Sequence, residues 1–327
     1  MSNNQHLFSK GNLPAYPIEV THPEITRFKH SNTGINYVHI LDSGKDGPTV
    51  LINALMHGNE YSGAVVLSQL IDSRIQPSCG KWILSFANVG AFATFDETNP
   101  DVSRFLDVDM NRVWSNSKLE SGNHVKELVR AREILPLLKE VDYLLDLHSM
   151  HEECEPLMVS GPTNKAYQFA KLMGFPKVIM RDVGHADGKR LIDYDFFGDE
   201  KKLPIGLLIE AGHHWSKLTI ENSQHTLFRF LMSTKTIDIQ NVPENFQQKV
   251  PQVEVKVTHR CVAKSDDVQF VQNWLGMEII PKAGTVIAYD AGVAIQTPYD
   301  DCVLIMPSLR HVLPGVTYVR LGQQRPI

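Results

Sequence analysis

His57-Gly58-Asn59-Glu60 follows the apolar run Thr49–Leu55. An HxxE carried across a strand-to-helix turn points an imidazole and a carboxylate at one ion, with Gly58 permitting the tight backbone. Asp146-Leu147-His148 closes a second apolar run, Val141–His148. Strand alternation puts Asp146 and His148 on one face, where the aspartate can orient the imidazole. Glu210 is the first charge after PIGLLI, and so apolar a strand has no structural reason to end in an acid. Two histidines and one glutamate are a recurring catalytic zinc set, which leaves a fourth position to a water whose pKa falls to about 7. A separate carboxylate then serves as general base and passes the proton to the leaving nitrogen, and Glu210 is the candidate. An HxxE or a DxH alone reads as a solvated turn; three such features at the ends of three apolar strands read as a site.

Residues 104–112, RFLDVDMNR, add two arginines and an asparagine in a stretch without periodicity. A plain solvated loop has this composition too. As part of a site, Arg112 offers a planar fork for a substrate carboxylate, and Asn111 adds a neutral donor. Arg104 would polarise the scissile carbonyl and steady the developing oxyanion.

The elements that must position these groups alternate over the first 235 residues. Ile35–Leu41, Thr49–Leu55, Lys81–Asn88, Val141–His148 and Pro204–Glu210 read as strands. Residues 60–72, 123–139 and 218–233 read as helices from apolar residues three and four apart. Strands alternating with helices predict an α/β domain with a mostly parallel sheet and a binding crevice at the strand ends. Beyond residue 236, short apolar runs at 253–257, 285–289, 293–296 and 303–306, cut by Pro and Gly, predict a small all-β domain. The expected division is 1–235 and 236–327, in keeping with a 327-residue chain too long for one comfortable core.

A formal net charge of −5 leaves no electrostatic footprint for nucleic acid or an anionic membrane. No 18-residue apolar run predicts a membrane span, and residues 1–17 lack the apolar run of a signal peptide. Cys79, Cys154, Cys261 and Cys302 are dispersed, which suits reduced thiols in a cytoplasmic protein better than a disulfide framework.

The succession HGNE, RxxxDxDxNR, DLH and a strand ending in Glu-x-Gly resembles the succinylglutamate desuccinylase/aspartoacylase family, relatives of the zinc carboxypeptidases. The resemblance covers about residues 50–215, and the segment 284–308 resembles the C-terminal β domain of the family's deacylase branch. It implies a carboxypeptidase-like mixed sheet flanked by helices and one zinc ion per chain on His57, Glu60 and His148. It also implies Glu210 as general acid/base, Arg104 on the carbonyl oxygen, and Asn111 with Arg112 on a substrate carboxylate. The expected activity is hydrolysis of a non-peptide amide in a small N-acyl amino acid or amine, without nucleic acid or membrane; a homo-oligomer stays open. A carboxypeptidase for small peptides and a non-catalytic metal- or metabolite-binding protein are the competing readings.

The sequence departs from the family where aspartoacylases place another arginine upstream of the glutamate: residues 199–204 read DEKKLP. Arg181 and Arg190 are the substitutes on offer. Tyr318 is a candidate to reach the pocket, His213 and His214 to line its entrance, and Trp114 to wall it. His151 reads as exposed or as a neighbour of the metal site, and His185 with Asp187 as a turn.

Overall fold

The computed structural model describes residues 17–185, 187–310 and 312–327, so the expectation for segment 1–17 falls almost wholly outside the described residues. The chain forms two compact units, 18–149 with 156–252, and 150–155 with 253–327. The division between the long segments thus falls at 252/253, against the expected 235/236.

The larger unit carries strands β1 (Val38–Asp42), β2 (Thr49–Ala54), β3 (Lys81–Phe86), β4 (Tyr143–Met150), β5 (Leu157–Val159), β6 (Val178–Arg181) and β7 (Ile205–His213). Their order across the sheet is β1-β3-β2-β4-β7-β5-β6. β2 runs parallel to both β3 and β4, and all six of its residues are buried, as a strand covered on both faces must be. The sheet is mixed, as the resemblance implied: β2 with β3, β2 with β4 and β5 with β6 run parallel, in line with strand–helix alternation, while β1 is antiparallel to β3 and β5 to β7. β7 also continues three residues past Glu210, since a backbone ladder does not stop at a charge.

Helices Ser62–Asp72, Lys126–Leu138, Asn164–Met173 and Lys217–Ser233 belong to this unit. Helix Ser62–Asp72 buries Ala64, Val66, Leu67 and Leu70, and Gly63 brings it close to the sheet. A Cβ on Gly63 would stand 2.8 Å from Leu147 Cβ and 3.0 Å from Ala54 Cβ. The start of this helix, and with it Glu60, is therefore fixed against the ends of β2 and β4. No helix among the described residues is long and apolar enough to cross a membrane.

The smaller unit contains β8 (Val253–Val262), β9 (Val268–Phe270), β10 (Glu278–Ile280), β11 (Val286–Asp290), β12 (Val293–Gln296), β13 (Cys302–Ile305) and β14 (Thr317–Pro326). They pair antiparallel as β8-β14-β13-β10 and as β12-β11-β9. Its core gathers Phe270, Trp274, Ile287, Leu304, Tyr318 and Leu321. Tyr318, the candidate pocket residue, lies in this core with its ring 5.8 Å from that of Phe270.

Candidate metal centre and active site

The HGNE segment runs between β2 and helix Ser62–Asp72, and DLH sits at the end of β4 beside β2. Register pairs Asn53 with Asp146, so the two polar stretches leave the sheet side by side. Gly58 is required for a reason other than a special turn. A Cβ there would lie 2.3 Å from Ser103 O, 2.4 Å from Phe92 N and 2.5 Å from the Ala91 carbonyl carbon. Two other backbone segments pass over this position, and Gly58 N–H donates to Arg104 O at 3.1 Å.

His57, Glu60 and His148 are buried and offer ligand atoms all within 4.8 Å of one another. His57 Nδ1 lies 2.7 Å from Glu60 Oε1, and His148 Nδ1 lies 3.0 Å from Glu60 Oε2. Both Nδ1 atoms thus face the shared carboxylate, and both Nε2 atoms face outward to other acids. His148 Nε2 is 2.9 Å from Asp146 Oδ2, the orienting partner expected from the sequence, and Asn53 Nδ2 donates to Asp146 Oδ1 at 2.7 Å. His57 Nε2 is 2.9 Å from Asp109 Oδ1, a partner the sequence did not suggest. This is the arrangement metal-ligating histidines adopt, with one nitrogen for the ion and the other donating its proton to a carboxylate.

The electrostatics fit a cation. Burial works against the Glu60 charge, yet the His57 and His148 imidazoles outweigh it and hold that carboxyl well below the ordinary range. Burial likewise opposes a charged His148, but Asp146 and Glu60 push its pKa well above the ordinary value. Asp109, disfavoured by burial, is held well below its range by His57, Arg104 and Arg112. Three carboxylates therefore surround two imidazoles, and both Nδ1 atoms point at the carboxylate with which they would share an ion. The donor set, two imidazoles and a carboxylate, suits zinc.

Arg104 ends the 3-10 turn Pro100–Arg104 and joins this cluster. Its NH1 donates to Glu60 Oε1 at 3.0 Å, and its NH2 lies 3.1 Å from His57 Nε2 and 3.5 Å from Asp109 Oδ2. Burial opposes its charge, but Asp109, Glu60 and Glu210 together raise its pKa. Glu210 is thus within electrostatic reach of the guanidinium that contacts the trio; its residue on β7 pairs with Leu157 on β5.

The loop bearing Arg104 and Asp109 is held from outside. Glu127, fully buried in the first turn of helix Lys126–Leu138, accepts the backbone N–H groups of Leu106, Asp107 and Val108 at 2.7, 3.1 and 3.2 Å. Sequence reasoning missed this residue, which reads as an ordinary helix-start glutamate.

Arg112 Nε donates to Asp187 Oδ2 at 3.2 Å, NH1 donates to Asn111 O at 2.9 Å, and NH2 lies 3.8 Å from Asp109 Oδ2. Asn111 is buried and its Oδ1 accepts Leu191 N–H at 3.0 Å, so its side-chain oxygen is committed to the fold. Of the substitute arginines, Arg190 is buried and pairs with Asp193 at 2.6 Å and Asp182 at 3.6 Å. Arg181 donates to Pro162 O at 3.2 Å and stacks over the Tyr167 ring at 4.8 Å. His213 and His214 are both buried rather than at an entrance, and His214 Nδ1 meets Ser149 Oγ at 2.8 Å. Trp114 is fully buried and packs on Tyr194, and His185 Nδ1 lies 4.0 Å from Asp187. Among the described residues, His151 is outside the metal-holding group.

Comparison with known proteins agrees with this geometry. Residues 46–195 match the family model described as the succinylglutamate desuccinylase/aspartoacylase catalytic domain. Among solved structures, the succinylglutamate desuccinylase of Chromobacterium violaceum aligns over 90% of both chains at 16% identity and a TM-score of 0.64. That of Vibrio cholerae aligns over 89% of this chain and 86% of its own, at 17% identity and a TM-score of 0.62. The product-bound ectoine utilization protein EutE (DoeB) of Ruegeria pomeroyi covers 90% of this chain and 92% of its own, at 15% identity and a TM-score of 0.66. No curated protein matches in sequence. Over residues 46–195 the chain is thus similar to the catalytic domain of the succinylglutamate desuccinylase/aspartoacylase family, and the whole shares its fold with those solved structures.

Proposed function

We propose that this protein is a zinc-dependent deacylase that hydrolyses the amide of an N-acyl amino acid or related N-acyl amine. The observation that carries the reading is that His57, Glu60 and His148 bring their ligand atoms within 4.8 Å of one another and that Arg104 donates to Glu60 of that group at 3.0 Å. His57, Glu60 and His148 would hold the zinc ion, which would supply Lewis acidity and lower the pKa of a bound water to about 7. Glu210 takes the proton of the attacking water and returns it to the departing nitrogen. Arg104 offers its remaining N–H groups to the acyl oxygen as charge develops. Arg112 retains N–H donors for one substrate carboxylate, and Asn111 contributes through its Nδ2. Asp146 and Asp109 keep the two imidazoles oriented and keep their protons on Nε2. A cytoplasmic location and a small-molecule substrate, without nucleic acid or membrane, complete the proposal.

The test is a zinc-loaded, metal-analysed protein assayed against N-acetyl and N-succinyl amino acids. Glu210→Gln is expected to keep its zinc while turnover falls by a factor of about a hundred or more, the size of a general acid/base contribution. A zinc-replete Glu210→Gln enzyme that keeps more than about a tenth of wild-type turnover refutes the assignment.

A further inference from the structure

The charges around Arg112 bear on which N-acyl compound the site takes. Resting on the deacylase reading, we infer that Asp187 is a specificity-determining residue that selects substrates bearing a positive charge on the amine portion, such as the N-acyl derivative of a basic amino acid. The Arg112 guanidinium already faces two carboxylates, Asp187 on Nε at 3.2 Å and Asp109 near NH2 at 3.8 Å. A substrate carboxylate on the remaining N–H groups of Arg112 stands close to the Asp187 carboxylate. An ammonium on the same substrate pairs with Asp187, and a second carboxylate there meets like charge.

The cations that a dicarboxylate would need are engaged elsewhere. Arg190 is buried against Asp193 and Asp182, and Arg181 lies over Tyr167 with a backbone carbonyl as partner. Lys118 Nζ donates to Arg112 O at 2.9 Å and Asp187 O at 3.0 Å. Lys189 is exposed as Asp187 is, but of the two it is Asp187 that meets the Arg112 guanidinium, at 3.2 Å. A chain built for two carboxylates would leave a second guanidinium beside Arg112, and here an acid stands there instead.

The placement of Asp187 is built into the backbone. Val113 and Lys189 form a parallel bridge, Trp114 N–H donates to Lys189 O at 3.3 Å, and Leu191 N–H donates to Asn111 Oδ1 at 3.0 Å. Gly188 lies so close to residue 112 that a Cβ on it would fall 2.1 Å from Arg112 O. These ties bracket Asp187 on its C-terminal side and Lys118 holds its own carbonyl, while 65% of its side chain stays exposed, as a group meant to meet a ligand requires.

The experiment compares three N-acetyl amino acids that differ in side-chain charge: Nα-acetyl-ornithine, Nα-acetyl-norvaline and Nα-acetyl-glutamate. Zinc-loaded wild type is expected to favour the cationic amide over the anionic one by about tenfold or more in kcat/KM, the range of a charge-assisted contact. Asp187→Asn should remove most of that preference by lowering the cationic value and raising the anionic one, with the neutral amide changed by less than about threefold. Calorimetric binding of the same three compounds to Glu210→Gln, with and without Asp187→Asn, reads the charge order independently of turnover. Preference for the acetyl-glutamate compound, an Asp187→Asn effect equal on all three, or no binding by any overturns the inference. Binding in the expected order with no hydrolysis by wild type sinks the deacylase reading and leaves the charge selection standing.

Discussion

Asp146 is fully buried, with one carboxylate oxygen taking Asn53 Nδ2 at 2.7 Å and the other facing His148 Nε2 at 2.9 Å. Asp146→Asn keeps the shape and removes the charge. If Asn53 stays in place, the new amide must turn its oxygen toward Asn53 and its NH2 toward His148, so two N–H groups confront each other. Relief requires moving the imidazole proton to Nδ1, the atom offered to the ion, or flipping Asn53 and accepting a neutral partner for His148. Either route forfeits a charge-assisted hydrogen bond of about 1.5–3 kcal/mol, which corresponds to roughly ten- to a hundredfold in zinc affinity. The assay is zinc competition against a fluorescent chelator at pH 7.4, with circular dichroism and Tm recorded on the metal-free variant. Zinc affinity within about twofold of wild type, in a folded variant, refutes the role given to Asp146 and the tautomer argument with it.

Glu127→Ala strands three backbone N–H groups and should lower stability by about 3 kcal/mol or more in urea unfolding, with kcat falling further than metal affinity. Gly58→Ala forces a Cβ into three backbone atoms no more than 2.5 Å away, so a loss of about 3 kcal/mol and weakened zinc binding are expected by calorimetry. His22 stacks on Phe92 at 4.1 Å and Phe95 at 4.9 Å, and burial, partly offset by a hydrogen bond at the Phe92 backbone, lowers its pKa below 6.5. The unfolded chain therefore binds the His22 proton first as pH falls, so this residue costs stability below about pH 6.5 and not above it. His22→Phe should gain on wild type between pH 7.5 and 5 in urea melts, and parallel pH curves for the two proteins would remove His22 from the account.

Residues whose chemistry is announced by their own strand were legible in the sequence. His57, Glu60 and His148 stand out because polar ligands at the ends of runs such as β2 and β4 have no packing use there. Asp146 was legible as well, because alternation alone places it beside His148. Asp109 was not, since its pairing with His57 joins positions 52 residues apart through a loop with no period to read. β5 and β6, of three and four residues, are too short to display alternation, and their place beside β7 comes only from tertiary pairing. The antiparallel placing of β1 and of β5 against β7 was not legible for the same reason, because strand direction is decided by connections rather than by composition. Arg181 and Arg190 look equally available in the sequence, but in the folded chain Tyr167, Asp182 and Asp193 already hold them.

The grip of Glu127 on residues 106–108 makes the segment bearing Arg104 and Asp109 a dependant of a helix lying outside it. Val125 gives helix Lys126–Leu138 no side-chain cap; Asp107 of the neighbouring segment instead accepts Lys126 N–H at 2.8 Å, and the helix's first-turn acid is turned toward that same segment. Warming that frays this first turn loosens Arg104 and Asp109 while the central strands are still intact. Loss of the proposed activity on heating is therefore expected to set in at a lower temperature than global melting.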